Sequence, residues 1–212
     1  MYLPPHFASQ DPRTAARLMR EHPFASLITV DDEGLPFATH LPLHLVEEGG
    51  AFTLLGHVAR PNPQWRHLAA RPRATVTFLG PHAYTSPRVY PDLARVPTWN
   101  YLAVHGTVTA RLLDHEDAAA KDRLLKALIG DHEPAYAQQW RDLGADFQHK
   151  LLRGIVAFEL AVDSWQCKLK LNQHREESHA AMFAVYAAGT PDERALAGWM
   201  QTLGMVPACT EE

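Results

Sequence analysis

The order of apolar and polar residues predicts short strands joined mainly by hairpins. Residues 24–30 form an apolar run, residues 31–34 are typical of a turn, and residues 35–46 alternate as a return strand. Pro42 cannot donate to a sheet ladder, so we expect that strand to lie at an edge or to carry a bulge. Further strands are predicted at residues 51–56, 74–79, 99–113 and 155–162.

Helices are predicted before, between and after these strands. Asp11 can cap the first helix, Pro12 fits its first turn and Pro23 ends it. The last helix begins with a capping box from Thr190 to Glu193. Its apolar stripe comprises Leu196, Trp199, Met200 and Leu203. Other helical segments are predicted at residues 62–68, 114–130 and, in pieces, 134–152.

Strands joined by hairpins do not alternate with helices as a parallel α/β sheet requires. We therefore predict a mainly β fold with helical additions (α+β), built on an antiparallel barrel. Residues 1–212 are expected to form one domain. Its barrel core would span about 24–165, and a helical C-terminal extension about 174–205.

Composition places the chain among globular proteins, with 46% hydrophobic and 21% charged residues. No apolar run approaches the roughly 20 residues of a membrane helix. The N-terminus lacks the pattern of a secretion signal, and the two cysteines lack metal-type or redox-type spacing, so a cytoplasmic location is expected. The net charge of −4 argues against a simple DNA-binding protein. Residues 60–98, however, hold six arginines and one acid, which suits a phosphate-bearing ligand.

The common catalytic motifs are missing, so no catalytic residue can be named. The chain has no GxSxG, P-loop, HExxH or GxGxxG pattern. His40 and His44 share a predicted strand face but would lie about 13 Å apart at ~3.3 Å per residue, too far to share an ion. No metal site is therefore expected.

A candidate anion site lies where a strand gives way to a helix at residues 56–65. The helix start offers free N–H groups, and Arg60, His57 and Asn62 add side-chain donors. An equally open interpretation is that Asn62 only caps the helix and Arg60 is solvated.

Two further segments have alternatives of the same kind. Trp99 and Tyr101 flank Asn100, which suits a flat heteroaromatic ligand but is also common in a core. Residues 167–175 form a polar basic run after the last predicted strand, which is either a ligand contact or a solvated loop.

Together these segments resemble the PaiB group of the FMN-binding split barrels, often labelled negative transcriptional regulators. The match follows family order over nearly the whole chain. The matching motifs are Met1-Tyr2-x-Pro4-x-His6-Phe7, Pro23-Phe24, Ala38-Thr39-His40-Leu41-Pro42, Gly56-His57-Val58-Ala59-Arg60-x-Asn62-Pro63-Gln64-Trp65, Gly80-Pro81-His82-Ala83-Tyr84-x-Ser86-Pro87-x-x-Tyr90, Val96-Pro97-Thr98-Trp99-Asn100-Tyr101 and Lys170-Leu171-x-Gln173-x-Arg175. Asn172 and His174 stand where the family commonly has Ser and Asn, so ligand contacts are not carried over to them.

The resemblance implies a six-stranded split barrel that forms a homodimer with two FMN sites at the subunit interface. In related barrels the phosphate binds on the strand and loop before a helix, and a positive group beside the flavin stabilises its reduced ring. We hypothesise that Trp99, Asn100 and Tyr101 lie near the partner subunit's flavin. The predicted FMN contacts are Thr39, His40, His57, Val58, Ala59, Arg60, Asn62, Trp99, Asn100, Tyr101, Lys170, Gln173 and Arg175.

Three functions follow from this resemblance. The preferred one is a flavin-dependent transcriptional regulator that senses redox state or a small amine-related metabolite, although no helix-turn-helix is evident and direct DNA binding stays open. The second is an FMN-dependent oxidoreductase using NAD(P)H, because hydride chemistry resides largely in the flavin. The least favoured is a haem-binding split barrel with His40 or His57 as axial ligand.

Overall fold

The computed structural model describes residues 1–92, 94–113 and 117–207. Within these ranges the strands are β1 (Ala8–Ser9), β2 (Phe24–Val30), β3 (Pro36–Pro42), β4 (His44–Glu48), β5 (Ala51–Ala59), β6 (Arg73–Thr85), β7 (Thr98–Leu112) and β8 (Ile155–Lys170). The helices are α1 (Pro12–Glu21), α2 (Gln64–Ala70), α3 (Ala118–His132), α4 (Tyr136–Asp142), α5 (Ala145–Arg153), α6 (His179–Ala187) and α7 (Pro191–Thr202).

The strands form one antiparallel sheet, which confirms the predicted mainly β fold with helical additions. Its order is β3-β2-β6-β7-β8-β5-β4, and β1 pairs with β8. In the described residues the sheet has eight strands rather than the six implied by the resemblance, and its path is open at β3 and β4.

The strand predicted over residues 35–46 is two strands. Its break lies at Leu43, whose N–H donates to the carbonyl of Pro23 (3.0 Å) instead of to a sheet ladder. Pro42, which has no N–H to donate, ends β3 at one edge of the sheet, and β4 begins the opposite edge. The prediction that Pro42 lies on an edge strand is therefore confirmed, whereas the single continuous strand was wrong.

Three other strands are longer than predicted, and the first of them, β5, continues three residues past Gly56 to Ala59. β6 continues through Pro81 to Thr85, six residues past the end predicted at residue 79. β8 continues eight residues past Val162 to Lys170, because β1 supplies a ladder partner, with Ala8 opposite Lys168. The polar sequence of this second half concealed the strand, since its exposed face carries polar side chains.

The helix termini follow the predicted capping rules. The Asp11 carboxylate accepts hydrogen bonds from the N–H groups of Arg13 and Thr14 (3.1 Å each), and Thr190 forms the capping box with Glu193. Three members of the apolar stripe of α7 are buried: Leu196, Trp199 and Met200. The fourth, Leu203, is 39% exposed, because α7 ends at Thr202 and this residue lies beyond the packed face.

The predicted helix at residues 114–130 starts later in the described part of the chain. α3 begins at Ala118 and is capped by Asp117, while residues 114–116 lie outside the described ranges. Leu124 and Leu128 are buried as predicted. Among the described helices, none is both long and apolar enough to cross a membrane.

Contacts divide the chain into two compact units, here called unit 1 and unit 2. Unit 1 comprises Met1–Leu18, Leu79–Val104 and Gln166–Glu212, and unit 2 comprises Met19–Phe78 and His105–Trp165. The prediction of a single domain stays a prediction. The core of unit 2 includes Leu27, Leu54, Val76 and Phe158, and that of unit 1 includes Leu102, Leu171, Met182 and Tyr186.

Candidate functional site

The loop between β5 and α2 in unit 2 is fixed to β3 by a chain of side-chain hydrogen bonds. The Asn62 amide donates to the Thr39 hydroxyl (3.1 Å), and that hydroxyl donates to the Gln64 side-chain carbonyl (2.7 Å). Asn62 also accepts a hydrogen bond from the backbone N–H of Gln64 (2.9 Å). The Asn62 side chain thus accepts from the first N–H of α2, although Pro63 is the N-cap residue, and its link to Thr39 was not predicted.

Gln64 anchors this network and was missed as a site residue. Its side chain is fully buried, and its amide donates to the Leu27 carbonyl (3.2 Å) and the Thr29 hydroxyl (3.1 Å). Thr29 in turn contacts Nδ1 of the buried His67 (3.2 Å). A glutamine in the second position after Asn62 gave no sequence signal of burial, although its place inside the Asn-Pro-Gln-Trp motif could have marked it.

His57 on β5 leaves an unpaired polar atom beside this loop. Its Nδ1 is buried and has no hydrogen-bond partner among the described residues. Burial lowers the pKa of His57, which favours the neutral ring. Because most buried polar atoms are paired and an unpaired one is unfavourable, this nitrogen is suited to a ligand.

Arg60, in contrast, is tied to the backbone. Its Nε donates to the carbonyl of Arg153 (2.8 Å), and one terminal nitrogen donates to that of Ile155 (3.3 Å). The guanidinium is therefore not simply solvated: two of its five N–H donors bind the backbone at the end of α5 and the start of β8. A contact to a bound phosphate stays a prediction for this residue.

The remaining predicted residues of unit 2 occupy different environments. His40 is exposed, and its Nδ1 lies 2.9 Å from the Ser26 hydroxyl. Val58 is buried in the core, whereas Ala59 is exposed at the end of β5. Gly56 allows this stretch to pack closely, because an added Cβ would lie 2.5 Å from Leu43.

In unit 1, the three aromatic-motif residues are separated by burial. The Trp99 ring is 54% exposed, while Tyr101 is half-buried. Asn100 is fully buried, and its amide donates to the Tyr186 hydroxyl (3.0 Å) and the Met182 sulfur (3.2 Å). The carbonyl oxygen of the Asn100 side chain is buried without a partner among the described residues.

The last motif forms the end of β8 and the turn that follows. Lys170 Nζ donates to the Thr98 hydroxyl and to the Trp99 carbonyl (2.6 Å each), so these two predicted segments meet. Gln173 closes the turn by accepting from the Leu171 N–H (3.0 Å), and Arg175 follows it, half-buried. The predicted residues thus form two sets, one in each unit.

The predicted residues of each unit include side-chain hydrogen-bond donors, such as Asn62 in unit 2 and Lys170 in unit 1. A family model with the description "Putative FMN-binding domain" matches residues 1–164. The Bacillus subtilis protein "Protease synthase and sporulation protein PAI 2" is 34% identical over 178 residues, covering 84% of each chain. This chain belongs to the PaiB family of FMN-binding proteins. FMN is its cofactor, as the sequence resemblance had implied.

A more distant relative of this chain and two solved structures extend the comparison. The yeast protein YKL070W is 28% identical over 150 residues, which cover 60% of this chain and 86% of that protein. A FAD- and haem-binding protein from Mycobacterium smegmatis (22% identity) and the flavocytochrome Anf3 from Azotobacter vinelandii (18%) both align with a TM-score of 0.60. The alignment with the M. smegmatis protein covers 77% of this chain and 73% of that protein, and the alignment with Anf3 covers 78% and 70%. Both show that this chain has the same fold.

Proposed function

We propose that the FMN phosphate binds in unit 2, at the loop between β5 and α2. The observation that carries this proposal is the buried Nδ1 of His57, which has no partner among the described residues. Thr39 and Asn62 lie in the fixed network beside this loop, so their side chains are oriented before the ligand arrives. His57 would donate to the phosphate, and Thr39 and Asn62 would position it.

The proposed role of the protein is that of a flavin-dependent regulator in the cytoplasm. Support comes from the name of the 34% identical relative, which refers to protease synthesis and sporulation. Bound FMN would supply reversible electron transfer, and its redox state would be the signal. The chain's own part is to hold the cofactor, and a homodimer with interfacial sites remains part of this proposal.

A second candidate role is that of an FMN-dependent oxidoreductase using NAD(P)H. One feature of unit 1 favours it: Trp99 has an exposed ring, and its backbone carbonyl accepts a hydrogen bond from the Lys170 ammonium. An exposed ring beside a cation is suited to a planar, anionic second ligand such as a pyridine nucleotide.

The two roles are separated by assaying the same FMN-loaded protein for turnover and for DNA binding. A regulator predicts specific binding to a promoter fragment that changes when the flavin is reduced, and no NAD(P)H oxidation above that of free FMN. Many turnovers of NAD(P)H per flavin without promoter binding would overturn the regulator in favour of the oxidoreductase. Asn62→Ala, which is expected to lose FMN, is the control for both assays.

A further inference from the structure

Two lysines on one face of β8 bring their ammonium groups to the same aromatic ring in unit 1. Lys168 Nζ lies 5.0 Å and Lys170 Nζ 5.9 Å from the centre of the Tyr101 ring. They are two residues apart, so alternation along the strand puts them on one face. The sequence had suggested a loop here, in which no such pairing would be expected.

Several ammonium donors of these lysines are unused. Lys168 is only 6% exposed, and its Nζ donates to the Tyr2 carbonyl (3.0 Å), while Lys170 makes its two bonds to Thr98 and Trp99. An ammonium group has three N–H donors. Two donors of Lys168 and one of Lys170 therefore have no hydrogen-bond partner in the part of the chain that the structure describes.

The positive charge of the pair is also uncompensated. No carboxylate of the described residues lies within 4.0 Å of either ammonium. Burial, and then the neighbouring Lys168 charge, lower the pKa of Lys170. A buried charge is costly unless it is paired, and cation–π contacts of about 0.5–2 kcal/mol do not replace a counter-ion. The two lysines thus have the properties of an anion-binding site.

The residue whose backbone accepts from Lys170 also carries an exposed aromatic ring. Trp99 is 54% exposed, and its carbonyl accepts from Lys170, which places this residue at the cationic pair. Tyr84, itself exposed, meets the Trp99 ring edge-on, with the two ring centres 6.2 Å apart. An exposed, supported indole can stack on a planar ligand.

We propose that Lys168, Lys170 and Trp99 bind a second ligand, a planar aromatic compound that carries a phosphate or a carboxylate. The inference rests on the proposed function. FMN also has a planar ring and a phosphate, so the ligand of unit 1 is a second one only if FMN itself binds at the loop of unit 2. The second ligand would be the effector that the proposed regulator senses.

Calorimetric titration of the FMN-loaded full chain tests this site with AMP, nicotinate and adenosine. At least one of the two anions is expected to bind with a Kd at least tenfold below that of adenosine. Whichever anion binds more tightly identifies phosphate or carboxylate as the preferred group.

Lys168→Met and Lys170→Met should each weaken that binding about tenfold. Lys126→Met is the matched control, because the Lys126 ammonium is exposed and paired with Asp122. Equal binding of all three compounds, or equal binding by all variants, would overturn the site.

Lys170→Met keeps the test decisive if the buried Lys168→Met fails to fold, which thermal unfolding will show. Loss of FMN together with the anion in Lys170→Met would assign the lysines to the flavin and overturn the second site. In Asn62→Ala, loss of FMN with anion binding retained would support the separate site. If Asn62→Ala retains FMN, the proposed FMN site is wrong, and the anion titrations of the lysine variants still decide the second site.

Discussion

The predicted anion site at residues 56–65 lies in unit 2, and the basic segment at residues 167–175, predicted as a ligand contact or a solvated loop, lies in unit 1; their cations have different surroundings. Arg60 in the first segment donates to two backbone carbonyls. Lys168 in the second is nearly buried, bonds to one carbonyl and has no acidic partner among the described residues. A cation near a motif is thus not equivalent to a cation available to a ligand.

The comparison teaches that unpaired donors, not charged residue types, mark the sites. In the loop of unit 2 the polar groups bond to one another, and the buried His57 Nδ1 stands apart as unpaired among the described residues. In unit 1 the unpaired groups are ammonium donors. The variants below test whether the first segment is mainly a rigid scaffold and the second mainly a charged site.

The largest effect is expected from Gln64→Leu, which removes the centre of the unit 2 network. The substitution would remove the hydrogen bonds that the Gln64 side chain makes to the Leu27 carbonyl and to the hydroxyls of Thr29 and Thr39. We expect the free energy of unfolding to fall by about 2–4 kcal/mol, measured by denaturant titration. The exposed Gln138→Leu should change it by less than about 0.5 kcal/mol, and equal effects would contradict a rigid scaffold.

Arg60→Met is expected to act mainly on stability. The carbonyls of Arg153 and Ile155 would lose their donor, so the free energy of unfolding should fall by about 1–2 kcal/mol. The Kd for FMN should rise less than about tenfold, because two backbone carbonyls already hold the guanidinium in place. The exposed Arg66→Met is the control for loss of charge. A larger rise in Kd with unchanged stability would show that Arg60 is a phosphate ligand.

The smallest effect is a pH dependence of FMN binding. Burial holds the pKa of His57 below its usual 6.5, and a bound phosphate would raise it, so binding takes up a proton. Wild type should therefore gain affinity relative to His57→Gln as the pH falls from about 8 to about 6, by less than about tenfold. Fluorescence titration of FMN measures this difference. Parallel pH profiles would place the phosphate away from His57.

The parts of the fold that local rules govern could be predicted from the sequence. Asp11 and Thr190 cap their helices as expected, and Pro42 lies on an edge strand. The break at Leu43 and the extension of β8 to Lys170 could not be foreseen, because they depend on Pro23 and β1, which are distant in sequence.

The candidate site divides in the same way. The order of the family motifs along the chain identified Thr39, His57 and Asn62 as candidates. No local sequence pattern shows that Gln64 is fully buried. The sequence likewise could not show that Asn100 lies inside unit 1, since its burial depends on Tyr186 and Met182. Which donors remain unpaired is a tertiary property.

The most direct test of the proposed FMN site is an equilibrium FMN titration of four proteins: wild type, His57→Ala, Asn62→Ala and Lys170→Met. We predict that the Kd for FMN rises at least about tenfold in His57→Ala and Asn62→Ala and less than about twofold in Lys170→Met. The reverse pattern, with FMN lost in Lys170→Met and retained in the other two variants, would contradict the placement of the cofactor in unit 2.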